Sequence, residues 1–196
     1  MLPERKLLAC VLSGGGSRRM GQDKALMLHP LGGTWLTHAV DLLLHFRLPV
    51  TVSTRHPSHA PQLLLRPCVD IALEPPPGQG PLRAFSRVLP REDGWAVLVA
   101  PVDMPNLRVT TLATLIAAWR QQPAMAAVAH DGQRLQPLLG VYPSGPIQHL
   151  LLNEELGQGR SCWQRWLQRL AHRPVSLPGN QLLNANRSGD LAALQR

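Results

Sequence analysis

The chain as far as Gln121 alternates short apolar runs with segments of helical periodicity, and this alternation restricts the fold more than any other feature. The apolar runs are short and are bounded by glycine, proline and polar residues, so they predict buried strands. Strands that alternate with helices form βαβ units, in which a parallel sheet is covered on both faces. The predicted strands are residues 6–12, 49–53, 69–73 and 95–100, and the predicted helices are residues 34–46, 58–65, 81–89 and 109–121.

The pattern changes in the last third of the chain. Two apolar runs flank Asp131-Gly132, a dipeptide typical of hairpin turns. We therefore expect an α/β three-layer sandwich with a mostly parallel central sheet and a C-terminal extension of hairpin and helices. A length of 196 residues suits a single domain. The predicted elements of this part are strands at residues 124–130, 135–142 and 175–177 and helices at residues 146–156, 161–170 and 189–195.

The composition indicates the kind of partner. The net charge is +8, but the basic residues are scattered, lysine occurs only at Lys6 and Lys24, and aromatic residues make up 4%. A binding surface for nucleic acid needs clustered charge and stacking rings, so a cleft for a small polyanionic substrate is favoured. No apolar run approaches the roughly 18 residues of a membrane helix. We expect a cytoplasmic protein without membrane contact.

The cysteines and histidines give no metal-site pattern. Cys10, Cys68 and Cys162 are odd in number and far apart, which argues against a disulfide framework or a zinc site. We expect all three to be buried, reduced thiols. Of the eight histidines, His56 and His59 are close, but no third ligand lies near them in sequence. We expect surface or structural roles for all eight.

A glycine-rich loop follows the first strand directly. Three consecutive glycines, Gly14 to Gly16, let backbone N–H groups converge on phosphate oxygens, and Arg18, Arg19 and Lys24 add charge that suits a triphosphate. A P-loop is excluded because Lys24 follows aspartate and precedes alanine, and a dinucleotide fingerprint is excluded because Arg19 takes the place of its third glycine. The remaining alternative is a tight strand-to-helix turn with surface arginines.

Two acidic residues follow strands of the predicted sheet. Asp103 comes after residues 95–100, and Glu74 comes directly after residues 69–73. Ligands of open α/β sheets bind at the carboxyl ends of the strands, so both acids face the same crevice as the glycine loop. A carboxylate beside phosphates is a hard oxygen ligand of the kind Mg²⁺ needs. The other interpretation of Asp103 is a cap of the following turn.

The loop sequence resembles a known family. Residues 12–24, LSGGGSRRMGQDK, look like the signature L-A-G-G-x-S-x-R-M-G-x-D-K of the molybdenum cofactor guanylyltransferases, with Ser13 in place of alanine. That family belongs to the Rossmann-like nucleotidyltransferases, so the resemblance implies a Rossmann-like three-layer sandwich. It also implies that Leu12, Ser13 and Gly14 line the guanine and ribose end. Phosphate contacts would come from Gly15, Gly16, Ser17, Arg18, Arg19 and Lys24.

Two further segments extend the resemblance. Residues 101–105 resemble P-x-D-M-P, whose aspartate holds magnesium, which implies that Asp103 is the metal ligand. Residues 74–82 resemble D-x-x-P-G-x-G-P-L, which implies that Glu74 recognises the guanine edge although the family usually has aspartate there. A different alignment would give this role to Asp70, which sits early in its strand. Gly80 would start the helix that faces the nucleotide.

The late segments are similar to the family's acceptor side. Gln136 and Pro137 open a stretch similar to its strand near the second substrate, and Asn184 and Asn186 resemble its late N-x-N-T-P-E segment, with Thr and Pro replaced by Arg187 and Ser188. These residues would contact the acceptor. The other interpretation is structural, because Asn186 can cap a final helix.

The resemblance implies a Mg²⁺-dependent nucleotidyltransferase in molybdenum cofactor biosynthesis. It would transfer GMP from GTP to the terminal phosphate of Mo-molybdopterin, release diphosphate and form molybdopterin guanine dinucleotide. Lys24, Asp103 and Arg19 would be the catalytic residues, residues 1–122 the nucleotide-binding half and residues 123–196 the acceptor half. We expect a monomer that contacts molybdoenzyme maturation proteins transiently. The alternatives are a molybdopterin cytidylyltransferase that uses CTP, a non-catalytic nucleotide-binding adaptor and, third, a nucleic-acid binder.

Overall fold

The computed structural model describes residues 6–15, 23–75, 80–158 and 161–185. Within these ranges the chain forms one seven-stranded sheet, five α-helices and three short 3-10 helices. The strands are β1 (Lys6–Leu12), β2 (Val50–Thr54), β3 (Val69–Leu73), β4 (Trp95–Pro101), β5 (Ala126–His130), β6 (Leu135–Pro143) and β7 (His172–Ser176). The α-helices are α1 (Trp35–Leu44), α2 (Gly80–Ser86), α3 (Val109–Gln121), α4 (Pro146–Gly157) and α5 (Trp163–Arg169). The 3-10 helices are Lys24–Leu26, Pro57–Leu63 and Gly179–Leu182.

The strand order is β3-β2-β1-β4-β6-β5-β7. β1 lies parallel between β2 and β4, whereas β6 runs antiparallel to both of its neighbours, β4 and β5. The chain therefore leaves β1 toward β2 and β3 and returns on the other side of β1 to form β4. Such a reversal opens a crevice at the carboxyl ends of the two central strands, which is where ligands bind in open α/β sheets. The glycine loop leaves β1 at this crevice.

Helix α1 shows how local sequence sets an element. Thr34 precedes it, and its hydroxyl accepts from the backbone N–H of Thr37 at 3.2 Å, while the Thr37 hydroxyl accepts from the backbone N–H of Thr34 at 2.8 Å. This reciprocal capping box satisfies two donors that a helix start leaves without partners. Leu36, Val40 and Leu43 then follow at helical spacing and are fully buried. The capped helix thus presents an apolar stripe to the sheet.

Two apolar cores lie on opposite faces of the sheet. The first packs α1 and α3 against it and includes Leu36, Leu112 and Trp119. The second packs α2, α4 and α5 against the other face and centres on an aromatic group, Phe85, Tyr142, Trp163 and Trp166, whose neighbouring rings lie 4.9–6.0 Å apart. Helices on both faces of a mostly parallel sheet make three layers, so the predicted α/β sandwich is confirmed.

The predicted hairpin is a member of the central sheet rather than an extension of it, because β6 inserts between β4 and β5. The predicted helix at residues 81–89 ends at Ser86, and the predicted strand at residues 175–177 is the longer β7. The segment predicted as a helix at residues 58–65 is a 3-10 helix that includes Pro61, which cannot donate a backbone hydrogen bond. The predicted closing helix lies outside the described residues.

The cysteine prediction was wrong in part. Cys10 is buried, and burial raises the pKa of its thiol to about 12, but Cys162 is half-buried and Cys68 is exposed. Cys68 lies in the turn before β3 with a positive φ of 62°, a conformation of surface turns rather than of a packed strand. Among the residues that the structure describes, no helix is long and apolar enough to cross a membrane.

An irregularity in β6 directs its start toward the crevice. Val128 pairs with Gly140, but the next residue of β5, Ala129, pairs with Gln136, so residues 137–139 bulge from the ladder. Gly140 is needed beside this bulge, because a Cβ there would lie 2.7 Å from the carbonyl oxygen of Ala127. β6 is antiparallel, so its first residues reach the edge at which the parallel strands end. Gln136 therefore lies at the same edge as the glycine loop.

Candidate active site

Four adjacent strands, β3, β2, β1 and β4, deliver polar segments to one edge of the sheet. The backbone N–H of Ser13, after β1, donates to the carbonyl of Ser53 at 2.8 Å. The backbone N–H of Glu74, after β3, donates to the carbonyl of Thr54 at 2.7 Å, and that of Val102, after β4, donates to the carbonyl of Leu12 at 3.2 Å. The segments thus leave the sheet side by side, as the sequence predicts for Ser13, Glu74 and Asp103.

The carboxylate of Glu74 lies against the backbone of the glycine loop. A Cβ on Gly14 would come within 2.5 Å of Glu74 Oε1, so a larger residue there would force the Glu74 carboxylate to move. The hydroxyl of Ser53 donates to the same oxygen at 3.1 Å and holds the carboxylate in place. Among the residues that the structure describes, no heavy atom lies within 4 Å of the position that a Cβ of Gly15 would take. The half-buried carboxylate of Glu74 therefore lies beside the backbone of Gly14, which has no side chain to separate them.

Asp70 and Gly80, the other candidates near this loop, lie differently. Asp70 is exposed within β3 and pairs with Thr51, several residues before the carboxyl edge. Gly80 begins α2 with a φ of 73°, which favours glycine, and a Cβ there would lie 3.2 Å from Ser161 Oγ. The geometry thus brings Glu74, and not Asp70, to the loop.

Lys24 and Asp103 act on each other electrostatically. Lys24 begins the 3-10 helix Lys24–Leu26, which Asp23 caps by accepting from the backbone N–H of Ala25 at 3.0 Å. Burial raises the pKa of Asp103 above its ordinary value, and the positive charge of Lys24 partly offsets that rise. The carboxylate after β4 is therefore partly desolvated and feels the positive charge of Lys24, a combination suited to a polyphosphate and its metal ion.

The acceptor-side candidates differ in their distance from Asp103 along the fold. The backbone N–H of Ala185 donates to the carbonyl of Asp103 at 2.9 Å, which brings its neighbour Asn184 to the β4 loop. Gln136 is buried, and its amide donates to Asp131 Oδ2 at 2.7 Å. The carbonyl of Pro137 accepts from the Tyr142 hydroxyl. Gln136 and Pro137 thus have structural partners, while Asn184 lies next to the site.

Several predicted site residues fall outside the described ranges. They are Gly16, Ser17, Arg18, Arg19 and Asn186. The structure therefore covers the two ends of the glycine loop, Ser13 to Gly15 and Asp23 to Lys24.

His59 is a residue that the sequence interpretation did not connect with the site. It is 0% exposed, and its Nε2 lies 2.8 Å from Asp23 Oδ2. Its Nδ1 lies 2.8 Å from Thr54 Oγ1 and 3.3 Å from Ser13 Oγ. The expected structural role is confirmed, but this histidine joins both ends of the glycine loop. Its position three residues after His56 gave no signal of that.

The acidic residues of the crevice fit a metal ion that arrives with a substrate. Among the described residues no group of three or more histidine, cysteine, aspartate or glutamate side chains could hold one. Asp103 offers a single carboxylate at the crevice, and hard cations such as Mg²⁺ are commonly held by one or two carboxylates together with substrate phosphates and water. The residues present therefore fit a cation that enters with a triphosphate.

The sheet reversal at β1, the glycine loop and the acid after β4 define a Rossmann-like nucleotidyltransferase. Residues 9–174 match the family model described as a MobA-like NTP transferase domain. A probable molybdenum cofactor guanylyltransferase from Rhodopirellula baltica is 38% identical over 194 residues, which cover 94% of this chain and 90% of that relative. The chain belongs to the MobA-like NTP transferase family.

Solved structures agree on the fold. A molybdopterin-guanine dinucleotide biosynthesis protein A from Archaeoglobus fulgidus superposes with a TM-score of 0.72 at 21% identity, covering 94% of each chain. A 4-diphosphocytidyl-2C-methyl-D-erythritol synthase from Anaerococcus prevotii gives a TM-score of 0.76 at 11% identity, covering 98% of this chain and 97% of that one. One of these proteins is named for a guanine nucleotide and the other for a cytidyl group, so the fold alone does not determine the base.

Proposed function

We propose that the chain transfers the GMP group of GTP to the terminal phosphate of Mo-molybdopterin, which forms molybdopterin guanine dinucleotide and releases diphosphate. The observation that carries the proposal is the convergence of Ser13, Glu74 and the segment before Asp103 at one edge of the sheet, where Glu74 Oε1 lies against the backbone of Gly14. Support comes from curated relatives that are named probable molybdenum cofactor guanylyltransferases.

The reaction needs no nucleophile from the protein. The second pKa of a phosphate monoester is about 6, so the acceptor phosphate carries a nucleophilic oxygen near neutral pH without a general base. That oxygen attacks the α-phosphorus of GTP, a new P–O bond forms, and the bond to the β-phosphate oxygen breaks with its electron pair leaving on diphosphate. The chain then acts by positioning the two substrates and by neutralising charge.

The charged residues divide this work. Asp103 would hold Mg²⁺, which when bound stabilises negative charge on the phosphate oxygens. Lys24 places an ammonium group on the triphosphate, and its charge keeps more of the Asp103 carboxylate ionised. Gly15, Gly16 and Ser17 supply backbone N–H groups, and Arg19 supplies a guanidinium that suits phosphate oxygens.

Glu74 supports guanine as the base. Guanine presents a ring N–H and an amino group side by side, and a carboxylate offers two acceptor oxygens that match them. The cytosine edge offers its amino group beside the acceptor N3, which a carboxylate repels. The contact of Glu74 with the Gly14 backbone supports a base seated between Leu12, Ser13 and Gly14.

The single domain has two functional parts in this proposal. Residues 1–122 carry the nucleotide, and residues 123–196 carry the acceptor, with Asn184 and Asn186 near the reacting phosphate and Gln136 and Pro137 at the start of β6. A cytoplasmic monomer that hands its product to molybdoenzyme maturation proteins by transient contact remains a prediction.

The fate of labelled phosphate tests the reaction class. With Mo-molybdopterin and Mg²⁺ present, label in the α-phosphate of GTP is expected to appear in the dinucleotide, and label in the γ-phosphate is expected to appear only in diphosphate. Transfer of the γ-label to the pterin would indicate a kinase. Unchanged GTP, recovered with its affinity for the protein intact, would favour a nucleotide-binding adaptor.

A further inference from the structure

We propose that His59 is a positioning residue that fixes Asp23 and, through it, the neighbouring Lys24. The inference rests on the proposed function, in which Lys24 contacts the triphosphate. His59 itself touches no substrate, because it is 0% exposed between Ser13 and Asp23, the described ends of the loop. It would act through the backbone that carries Lys24.

The hydrogen-bond partners of His59 fit one tautomer of its neutral ring. An ionised carboxylate only accepts, so the proton lies on Nε2, which donates to Asp23 Oδ2 at 2.8 Å. In the neutral ring Nδ1 then accepts from a hydroxyl, either that of Thr54 at 2.8 Å or that of Ser13 at 3.3 Å. The imidazole thus bridges the end of β2, the start of the glycine loop and its far end.

Asp23 transmits this bridge to Lys24. One carboxylate oxygen, Oδ2, accepts from His59, and the other, Oδ1, accepts from the backbone N–H of Ala25 at 3.0 Å. Lys24 lies between these anchor points in the first turn of its 3-10 helix. His56 adds a weaker contact, with its Nδ1 3.9 Å from Asp23 Oδ2. Release of Asp23 from His59 would therefore loosen the turn that carries Lys24.

A nucleophilic role for this network is excluded by burial. Asp23, His59 and a hydroxyl are arranged like an acid, a base and a nucleophile, but Ser13 is 2% exposed and Thr54 is 0% exposed. Neither residue is accessible from the crevice side as a nucleophile must be. What remains for His59 is to hold the loop ends in one arrangement before the substrate binds.

Two substitutions of similar size separate positioning from packing. The side-chain nitrogen of glutamine can take the place of His59 Nε2 and donate to Asp23, whereas asparagine reaches only the position of Nδ1. We expect His59→Asn to lower kcat/KM for GTP by about 10- to 30-fold, mainly through KM, as loss of a hydrogen bond to a charged group implies. His59→Gln is expected to recover most of that loss. Exposed His45 provides the matched control, and His45→Asn should leave kcat/KM unchanged.

The same variants in a Lys24→Ala background test whether His59 acts through Lys24. GTP affinity is the readout, because it does not depend on turnover, and thermal unfolding is measured in parallel. We expect His59→Asn to weaken GTP binding in the native background but by less than about 2-fold once Lys24 is absent. Equal losses in the two backgrounds, or equal losses for His59→Asn and His59→Gln that follow their Tm values, would overturn the proposal. If Lys24→Ala alone left GTP affinity and turnover unchanged, the proposed function of Lys24 would fail, and the inference with it.

Discussion

Replacement of Asp103 by alanine is expected to lower kcat by at least about 1,000-fold, because a metal ion that loses its carboxylate no longer supplies several kcal/mol of charge stabilisation in the transition state. The fold is expected to survive. Burial raises the pKa of Asp103 in the folded state, so its ionised form is disfavoured by folding at neutral pH. Asp103→Asn should therefore be at least as stable as the native chain at pH 7, and this advantage should vanish as the pH falls below the unfolded pKa of about 3.9.

Thermal unfolding and steady-state turnover check this prediction together. Asp41→Asn is the matched control. Asp41 lies on α1, away from the crevice, and forms an ion pair with Arg66. It should keep full turnover. Full turnover in Asp103→Ala would instead remove the metal role, and a collapse of its Tm would show that Asp103 serves the fold.

Substitution of Lys24 by alanine has the second-largest expected effect, a loss of about 100-fold in kcat/KM for GTP, which is typical of removing one preorganised charge from a transition state. Because the ammonium group of Lys24 lowers the pKa of Asp103, its removal should raise that pKa further. The acid limb of the kcat/KM profile is then expected to move to higher pH in the variant. Lys24→Arg, which keeps the charge, should leave that limb near its native position.

Lys6 provides the control for Lys24, because it is the other lysine of the chain. Its ammonium group lies over the Trp95 ring, 4.9 Å from the centroid, at the far end of the strands from the crevice. Lys6→Ala should leave the pH profile and kcat/KM unchanged. A Lys24→Ala enzyme with native kinetics would contradict its place at the triphosphate.

Local sequence patterns predicted most of the fold. β1, β3 and α3 have the predicted bounds, because an apolar run bounded by turn residues, or an apolar stripe of helical period, depends on neighbours along the chain. The insertion of β6 between β4 and β5 was not predicted, because strand order depends on contacts between distant segments. Asp131-Gly132 indicated the hairpin but could not indicate which strand it would join.

The candidate site, like the fold, was predicted only in part. The sequence placed Ser13, Glu74 and Asp103 at one sheet edge, because parallel strands share their carboxyl ends. It did not predict that Glu74 lies against Gly14, or that His59 contacts both Ser13 and Asp23. Both contacts join segments that are far apart in the sequence. They depend on how β2 and the Pro57–Leu63 helix pack in the folded chain. The roles of Arg19 and Asn186 stay predictions, since both lie outside the described residues.

The most direct test of guanylyl transfer is a competition between equal concentrations of GTP and CTP for Mo-molybdopterin, with the two dinucleotides quantified by mass spectrometry with and without Mg²⁺. We predict that the guanine dinucleotide forms in at least about 100-fold excess and only with Mg²⁺ present. In Glu74→Gln one acceptor oxygen becomes a donor, so this ratio should fall about 10-fold. In the control variant Asp70→Asn the ratio should equal that of the native enzyme. An equal or larger yield of the cytosine dinucleotide from the native enzyme would contradict the account.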